Sequence, residues 1–225
     1  MKKDYSKAVL LLFSLGFIPV IFVSCENANS GENPKLEAAV INIEQQSFPK
    51  ASDVIKNWPE KQRKAAQELI QKYGEPTAVS SEMISWENNG NWKRTIVYKE
   101  EVTHNFPMPH ADFVEQVIDY KAPLEKYDEI AMYDGSVLLD RTKGEMAARC
   151  DKEAMNYLAI NLAHEVATGK KSVSDARNIY ARTAMAFMKG EKPEYTQSFQ
   201  FQLPTGNTAD PDKQMKMEDK KVGMK

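Results

Sequence analysis

Two histidines and one aspartate occur in a short, proline-rich stretch of this sequence. His104, His110 and Asp112 follow one another closely, and Pro107 and Pro109 lie between the two histidines. Imidazole nitrogens and carboxylate oxygens are ligands that zinc, copper and iron use in proteins, and prolines would rigidify the backbone that holds them. The stretch is therefore a candidate site for a divalent metal, although its spacing matches no defined metal-binding motif.

The same stretch can also be interpreted as an ordinary loop. Residues 100–110 (EEVTHNFPMPH) are expected to lack regular structure, because the two prolines disrupt backbone hydrogen bonding. In that case His104 and His110 would be two exposed side chains without a ligand. The sequence leaves both interpretations open, because the fold decides whether the side chains meet.

Cys150 is a second residue that could carry chemistry. It directly precedes a predicted helix, and a helix N-terminus lowers the pKa of a thiol. A dyad with His164 is disfavoured, because fourteen helical residues at about 1.5 Å each separate the two by about 20 Å. His104 or His110 could approach Cys150 only through the fold. A buried thiol is the simpler interpretation and a nucleophile is the alternative, while His164 is expected to be a packed histidine of the core.

Two tryptophans flank a predicted tight turn. Trp86 and Trp92 lie on strands joined by the sequence NNGN, in which Asn-Gly supplies the positive φ angles of a hairpin. With Asn89-Gly90 at its centre, Glu87 would face Trp92. The two indoles could form a platform for a small ligand, or they could pack within the core and across the strands.

Periodicity and turn residues predict an α+β fold, in which an antiparallel sheet built from two hairpins packs against three main helices. The first helix is expected to be capped by Asn57 and to end before Gly74. Further elements are predicted as a strand over 113–120, a short helix over 123–133, a second hairpin over 136–149, helices over 151–168 and 172–189, and an edge strand over 197–203.

The N-terminus has the features of an export signal. A basic start precedes an apolar run that begins at Leu10 and closes on Ser24 and Cys25. This segment resembles the signal peptide and lipobox of bacterial lipoproteins, with Phe22 where that family most often has leucine. The resemblance implies lipidation of Cys25 and anchoring in a membrane of the cell envelope. An uncleaved membrane helix is the alternative, but the run is short for a bilayer span.

A second resemblance covers about a quarter of the chain. The helix containing Leu69, the Gly74–Pro76 stop, Trp86 and the β-stretch to Tyr98 are similar to small outer-membrane lipoproteins of the SmpA/OmlA (BamE) type. The resemblance implies a sheet with helices on one face and a scaffolding role in the outer membrane. The chain continues far beyond this unit.

The domain organisation follows from these segments and from composition. We expect a signal peptide over 1–24, a polar tether over 25–46, the α+β domain over 47–203 and a disordered tail over 204–225. A net charge of -2 without a basic block argues against nucleic-acid binding. There is no glycine-rich phosphate loop and no Gly-x-Ser-x-Gly or His-Glu-x-x-His sequence.

Together these observations predict a lipid-anchored protein of the bacterial cell envelope, attached to the membrane through Cys25. Because no complete catalytic set is evident, the expected activity is a non-enzymatic binding or scaffolding role with an envelope protein as partner. The alternative is a metal-dependent or thiol-based envelope enzyme that uses His104, His110, Asp112 and Cys150.

Overall fold

The computed structural model describes residues 49–215. In this part of the chain, six antiparallel strands form one sheet and helices lie against it, which confirms the predicted α+β class. The helices are Ala51–Ile55 (α1), Glu60–Tyr73 (α2), Tyr127–Tyr133 (α3), Glu153–Ala167 (α4) and Val173–Met188 (α5), and the strands are Ala78–Val79 (β1), Met83–Asn89 (β2), Trp92–His104 (β3), His110–Asp119 (β4), Val137–Asp140 (β5) and Glu145–Cys150 (β6).

The strand order is β1-β2-β3-β4-β6-β5. Besides the two predicted hairpins, β3 and β4 form a third, so the prediction of a loop over 100–110 is wrong. β3 continues to His104, and β4 begins at His110. Both prolines fall within the five-residue connection 105–109, where they remove no hydrogen bond from the sheet.

The helices cover one face of the sheet. In register, Ile84, Val97, Val114 and Cys150 form a row across β2, β3, β4 and β6, and all four are buried. Helix α2 packs over the first part of this row and α4 over the last part. On the opposite face, Glu115 pairs with Arg149, so the sheet separates an apolar side from a charged one.

The first hairpin has a different register from the predicted one. Trp92 lies opposite Asn89 instead of Glu87, and the two residues of the turn are Gly90 and Asn91. Gly90 has a φ of 66°, and a Cβ at this position would lie 3.3 Å from the Tyr73 ring. The turn therefore needs glycine as its first residue, which fixes the register.

The first main helix begins later than predicted. Asn57 was expected to cap it, but α2 starts at Glu60, and Asn57 lies in the turn that follows α1. Trp58 is buried in this turn and donates its indole N–H to the Ser81 carbonyl at 3.1 Å. The end of α2 before Gly74 is as predicted.

The predicted edge strand over 197–203 is not formed. The side chain of Asn161 on α4 donates to the carbonyls of Tyr195 and Ser198 and accepts from the Gln200 N–H at 2.7 Å. These backbone groups are thereby bound to a helix rather than to a neighbouring strand. The alternation of phenylalanine and glutamine instead turns Phe199 toward the core.

The segment after Pro204 was expected to be disordered, but the described part of it packs onto the turn between β5 and β6. Thr208 is buried and donates to the Gly144 carbonyl at 2.7 Å. Asp210 accepts from Arg141 Nε at 3.1 Å. Polar composition predicted a tail, but Thr208 and Asp210 have specific partners in the turn between β5 and β6.

The predicted signal peptide, the lipidation site Cys25 and the tether over 25–46 lie outside the described residues, as do residues 216–225 of the predicted tail. Between residues 49 and 215, no helix has both the length and the apolar character that crossing a bilayer requires.

Candidate metal site

The hairpin of β3 and β4 brings the two histidines together. His104 is the last residue of β3, and its partner across the ladder is His110, the first residue of β4. Asp112 follows two residues later, so it projects from the same face as His110. The ring centroids of the two histidines are 5.0 Å apart. The predicted cluster is therefore present, at the end of the hairpin that the 105–109 connection closes.

The three side chains present their polar atoms to one point. His110 Nε2 lies 3.1 Å from Asp112 Oδ1, and His104 Nδ1 lies 3.4 Å from Asp112 Oδ2. One atom from each residue can be chosen so that all three lie within 4.8 Å of one another. The Asp112 side chain is only 2% exposed, whereas the two histidines are partly exposed. This geometry is compatible with three ligands of one ion.

The other ring nitrogens are directed toward acceptors. His110 Nδ1 lies 2.8 Å from the Met108 carbonyl, which can only accept, so Nδ1 carries the proton in that bond. His104 Nε2 lies 3.6 Å from Asp134 Oδ1. Metal-binding histidines are commonly oriented in this way, with one nitrogen donating to a carbonyl or carboxylate and the other facing the ion.

Two atoms at the centre have no hydrogen-bond partner among the described residues. They are His110 Nε2 and Asp112 Oδ1, and both atoms are buried. Although only 3.1 Å apart, they are not aligned for a hydrogen bond. Zinc bonds of about 2.0 Å in tetrahedral geometry place two ligands about 3.3 Å apart. The separation therefore fits two ligands of one ion.

Two further residues, which the sequence analysis did not identify as part of the site, support Asp112 and His104. The Ser136 hydroxyl donates to Asp112 Oδ2 and lies 3.2 Å from His104 Nδ1. The Ser136 N–H donates to Asp134 Oδ1 at 2.8 Å. Both residues belong to the turn between α3 and β5, which the sequence predicts through Asp134-Gly135. No local signal indicates that this turn meets the distant β3–β4 hairpin.

The electrostatics of the site couple His110 to its neighbours. The Asp112 carboxylate raises the pKa of His110 to about 11, and the Cys150 thiol and the Met108 carbonyl act in the same direction. Burial raises the pKa of Asp134. A metal ion that binds His110 Nε2 must therefore displace the proton that this raised pKa keeps on the ring.

Cys150 is a neighbour of His110 but is not one of the three clustered ligands. The residue is 4% exposed, and burial raises the pKa of its thiol although the His110 imidazole opposes the effect. A protonated thiol is a poor nucleophile at neutral pH. Of the four residues suggested for an enzyme, the structure thus brings three together as possible ligands and places the fourth beside them.

The two tryptophans proposed as a ligand platform are both buried. Trp86 donates its indole N–H to the Gly74 carbonyl at 2.8 Å, and Trp92 packs against Tyr157 with ring centroids 4.6 Å apart. This burial favours the packing interpretation. His164 is also a packed residue, since it stacks on Phe201 at 3.9 Å.

Comparisons of the chain with protein-family models, with curated proteins and with solved structures find no match. The resemblance to SmpA/OmlA-type lipoproteins therefore stays a prediction from the sequence.

Proposed function

We propose that the folded domain binds a divalent transition metal, with zinc as the best fit, through His104, His110 and Asp112. The observation that carries this proposal is the buried pair formed by His110 Nε2 and Asp112 Oδ1, which face each other without a hydrogen bond. Buried polar atoms are nearly always satisfied in native proteins. A cation bound to both atoms would satisfy them together.

The alternative to a metal is a purely ionic cluster. In that case the protonated His110 ring would donate to Asp112, but the relevant atoms are not aligned for such a bond. The second carboxylate oxygen of Asp112 already accepts from Ser136, so Oδ1 alone is left for another partner. The donor set of two imidazoles and one carboxylate also matches zinc sites that keep one position open.

The open position defines the kind of function. A zinc ion held by three protein ligands supplies a Lewis acid and lowers the pKa of a bound water. His104 and His110 would hold the ion by Nδ1 and Nε2, while Asp134 and the Met108 carbonyl keep the rings oriented. The proposed function is therefore metal binding at a site whose fourth ligand position is open to exchange. Such a site would also suit the metal-dependent enzyme that is the alternative prediction from the sequence.

We further propose that this domain is attached to a membrane of the bacterial envelope through a lipid on Cys25, with an envelope protein as partner. The support is the N-terminal sequence alone. Metabolic labelling with a tagged fatty acid tests it. The expected result is a labelled protein in the membrane fraction and no label in a Cys25→Ala variant.

The metal proposal is tested by elemental analysis and zinc titration of the full chain. We expect one equivalent of zinc in the wild type and none in Asp112→Asn or His110→Ala. Asp128→Asn is the matched control, because Asp128 is an exposed carboxylate on the neighbouring helix α3. Equal zinc affinity in Asp112→Asn and Asp128→Asn would overturn the proposal.

A further inference from the structure

A cleft beside the candidate metal site has a lining rich in sulfur. It lies between the 105–109 connection and helix α5 and has a volume of about 180 Å³. The residues that line it include Cys150, Met108, Met155 and Met188. The proposed zinc site uses none of these four residues.

The sulfur content is higher than composition explains. Methionine makes up 11 of the 225 residues, so a lining of this size would contain fewer than one methionine on average. This lining contains three, together with one of the two cysteines of the chain. Thiolate and thioether sulfur are soft ligands that select Cu(I) over hard cations.

Burial changes along the cleft in a way that suits entry of an ion. Cys150 and Met155 are 4% and 7% exposed, whereas Met108 and Met188 are 40% and 58% exposed. The two exposed methionines therefore lie at the mouth of the cleft, where their side chains contribute little to the buried core. Methionine has three rotatable bonds and a polarisable sulfur, so these side chains can close on an ion that enters.

The size of the cleft argues against an organic ligand. Pockets that bury drug-sized molecules have volumes of about 300–1,000 Å³, and this cleft is smaller. An ion enclosed by three or four sulfur atoms needs no larger space. Lys152 and Asp151, which also line the cleft, pair with each other at 2.9 Å, so neither offers a free charge to a polar head group.

We infer that this cleft is a second metal site, which binds Cu(I) through Cys150 together with Met108, Met155 and Met188. A bond forms between Cu(I) and the Cys150 sulfur, the thiol proton leaves to solvent, and no electron is transferred. The inference does not depend on the zinc proposal. His110 borders both sites, but its Nδ1 binds the Met108 carbonyl and its Nε2 faces Asp112.

The test is an anaerobic competition for Cu(I) between the full chain and the coloured chelator bicinchoninate, in a Cys25→Ser background that removes the other cysteine. We expect the protein to retain one equivalent of Cu(I). The affinity should fall at least tenfold in Cys150→Ser and in the Met155→Leu/Met188→Leu double variant. Leucine keeps the apolar volume of methionine, so the double variant keeps the fold.

Met185→Leu is the matched control. Met185 is an exposed methionine of helix α5, like Met188, but it does not line the cleft. It should leave Cu(I) binding unchanged. Asp112→Asn should lose zinc and keep Cu(I), which separates the two sites. The inference is overturned if the wild type retains no Cu(I), or if Met155→Leu/Met188→Leu binds as tightly as Met185→Leu. It is equally overturned if an apolar dye occupies the cleft while Cu(I) stays with the chelator.

Discussion

Trp92 donates its indole N–H to Glu153 Oε1 at 2.7 Å, and this bond joins the first hairpin to helix α4. The same carboxylate accepts from Gln116 Nε2 at 3.1 Å and from the Tyr73 hydroxyl and the Lys72 ammonium. One side chain thus connects α2, β3 and β4 to the first turn of α4. The helix that completes the core is held in place through Glu153.

We predict that Glu153→Gln lowers the free energy of unfolding by about 1–3 kcal/mol, because buried donors lose a charged acceptor. Urea denaturation measures the change. Glu68→Gln is the control, since Glu68 is an exposed glutamate on α2. A loss no larger than that of the control would show that the Glu153 hydrogen bonds contribute nothing to stability.

Glu153 should also contribute to acid sensitivity. Burial raises its pKa, but hydrogen bonds from Lys72 and Tyr73 and the Lys72 charge outweigh burial, so the pKa lies below the ordinary value of 4.5. The folded state therefore gains stability above pH 4.5, and this gain is lost as the pH falls through the lower, folded-state pKa. Unfolding measured between pH 6 and pH 3 should depend less on pH in Glu153→Gln, and identical slopes would contradict this.

Asp134 should act on zinc binding through His104. Its carboxylate lies 3.6 Å from His104 Nε2 and is nearly fully buried. Asp134→Asn removes the negative charge that orients the ring, so zinc affinity should fall roughly 10–100-fold. Competition with a zinc-sensitive dye measures it. Asp128→Asn should leave the affinity unchanged, and an equal effect of both substitutions would remove Asp134 from the site.

Zinc binding should release a proton near neutral pH. Asp112 raises the pKa of His110 to about 11, so the free site carries a proton that zinc must displace. The apparent zinc affinity should therefore increase with pH. Calorimetric titrations in two buffers of different ionisation enthalpy count the protons, and a value of zero would mean that His110 is not a ligand.

Local patterns predicted most of the elements. The apolar spacing of α2, α4 and α5 and the turn residues of two hairpins identify them without any knowledge of their partners. The prediction was wrong where a distant side chain decides the structure. Asn161 binds the backbone of residues 195–200, and Tyr73 lies over the turn at Gly90. Neither contact leaves a signal in the neighbouring sequence.

The candidate site also contains some residues that the sequence identified and others that it did not. His104, His110 and Asp112 were identified because their residue types and spacing are suited to metal binding. Asp134 and Ser136 were not, because their turn reaches the site only through the packing of α3 and β5 beside the β3–β4 hairpin. A sequence can indicate ligands within one hairpin, but the groups that orient them come from wherever the fold places an acceptor.

The contact between Gly144 and Thr208 yields a last prediction, about the segment that follows Pro204. Gly144 has a φ of 69°, and a Cβ at this position would lie 2.2 Å from the Thr208 carbonyl carbon. Gly144→Ala therefore strains the turn, at on the order of 1–3 kcal/mol, and displaces the segment. We expect faster proteolysis within residues 204–212. Gly135→Ala is the control, because its Cβ would meet nothing within 4 Å, and equal cleavage of the two variants would show that Gly144 does not hold this segment.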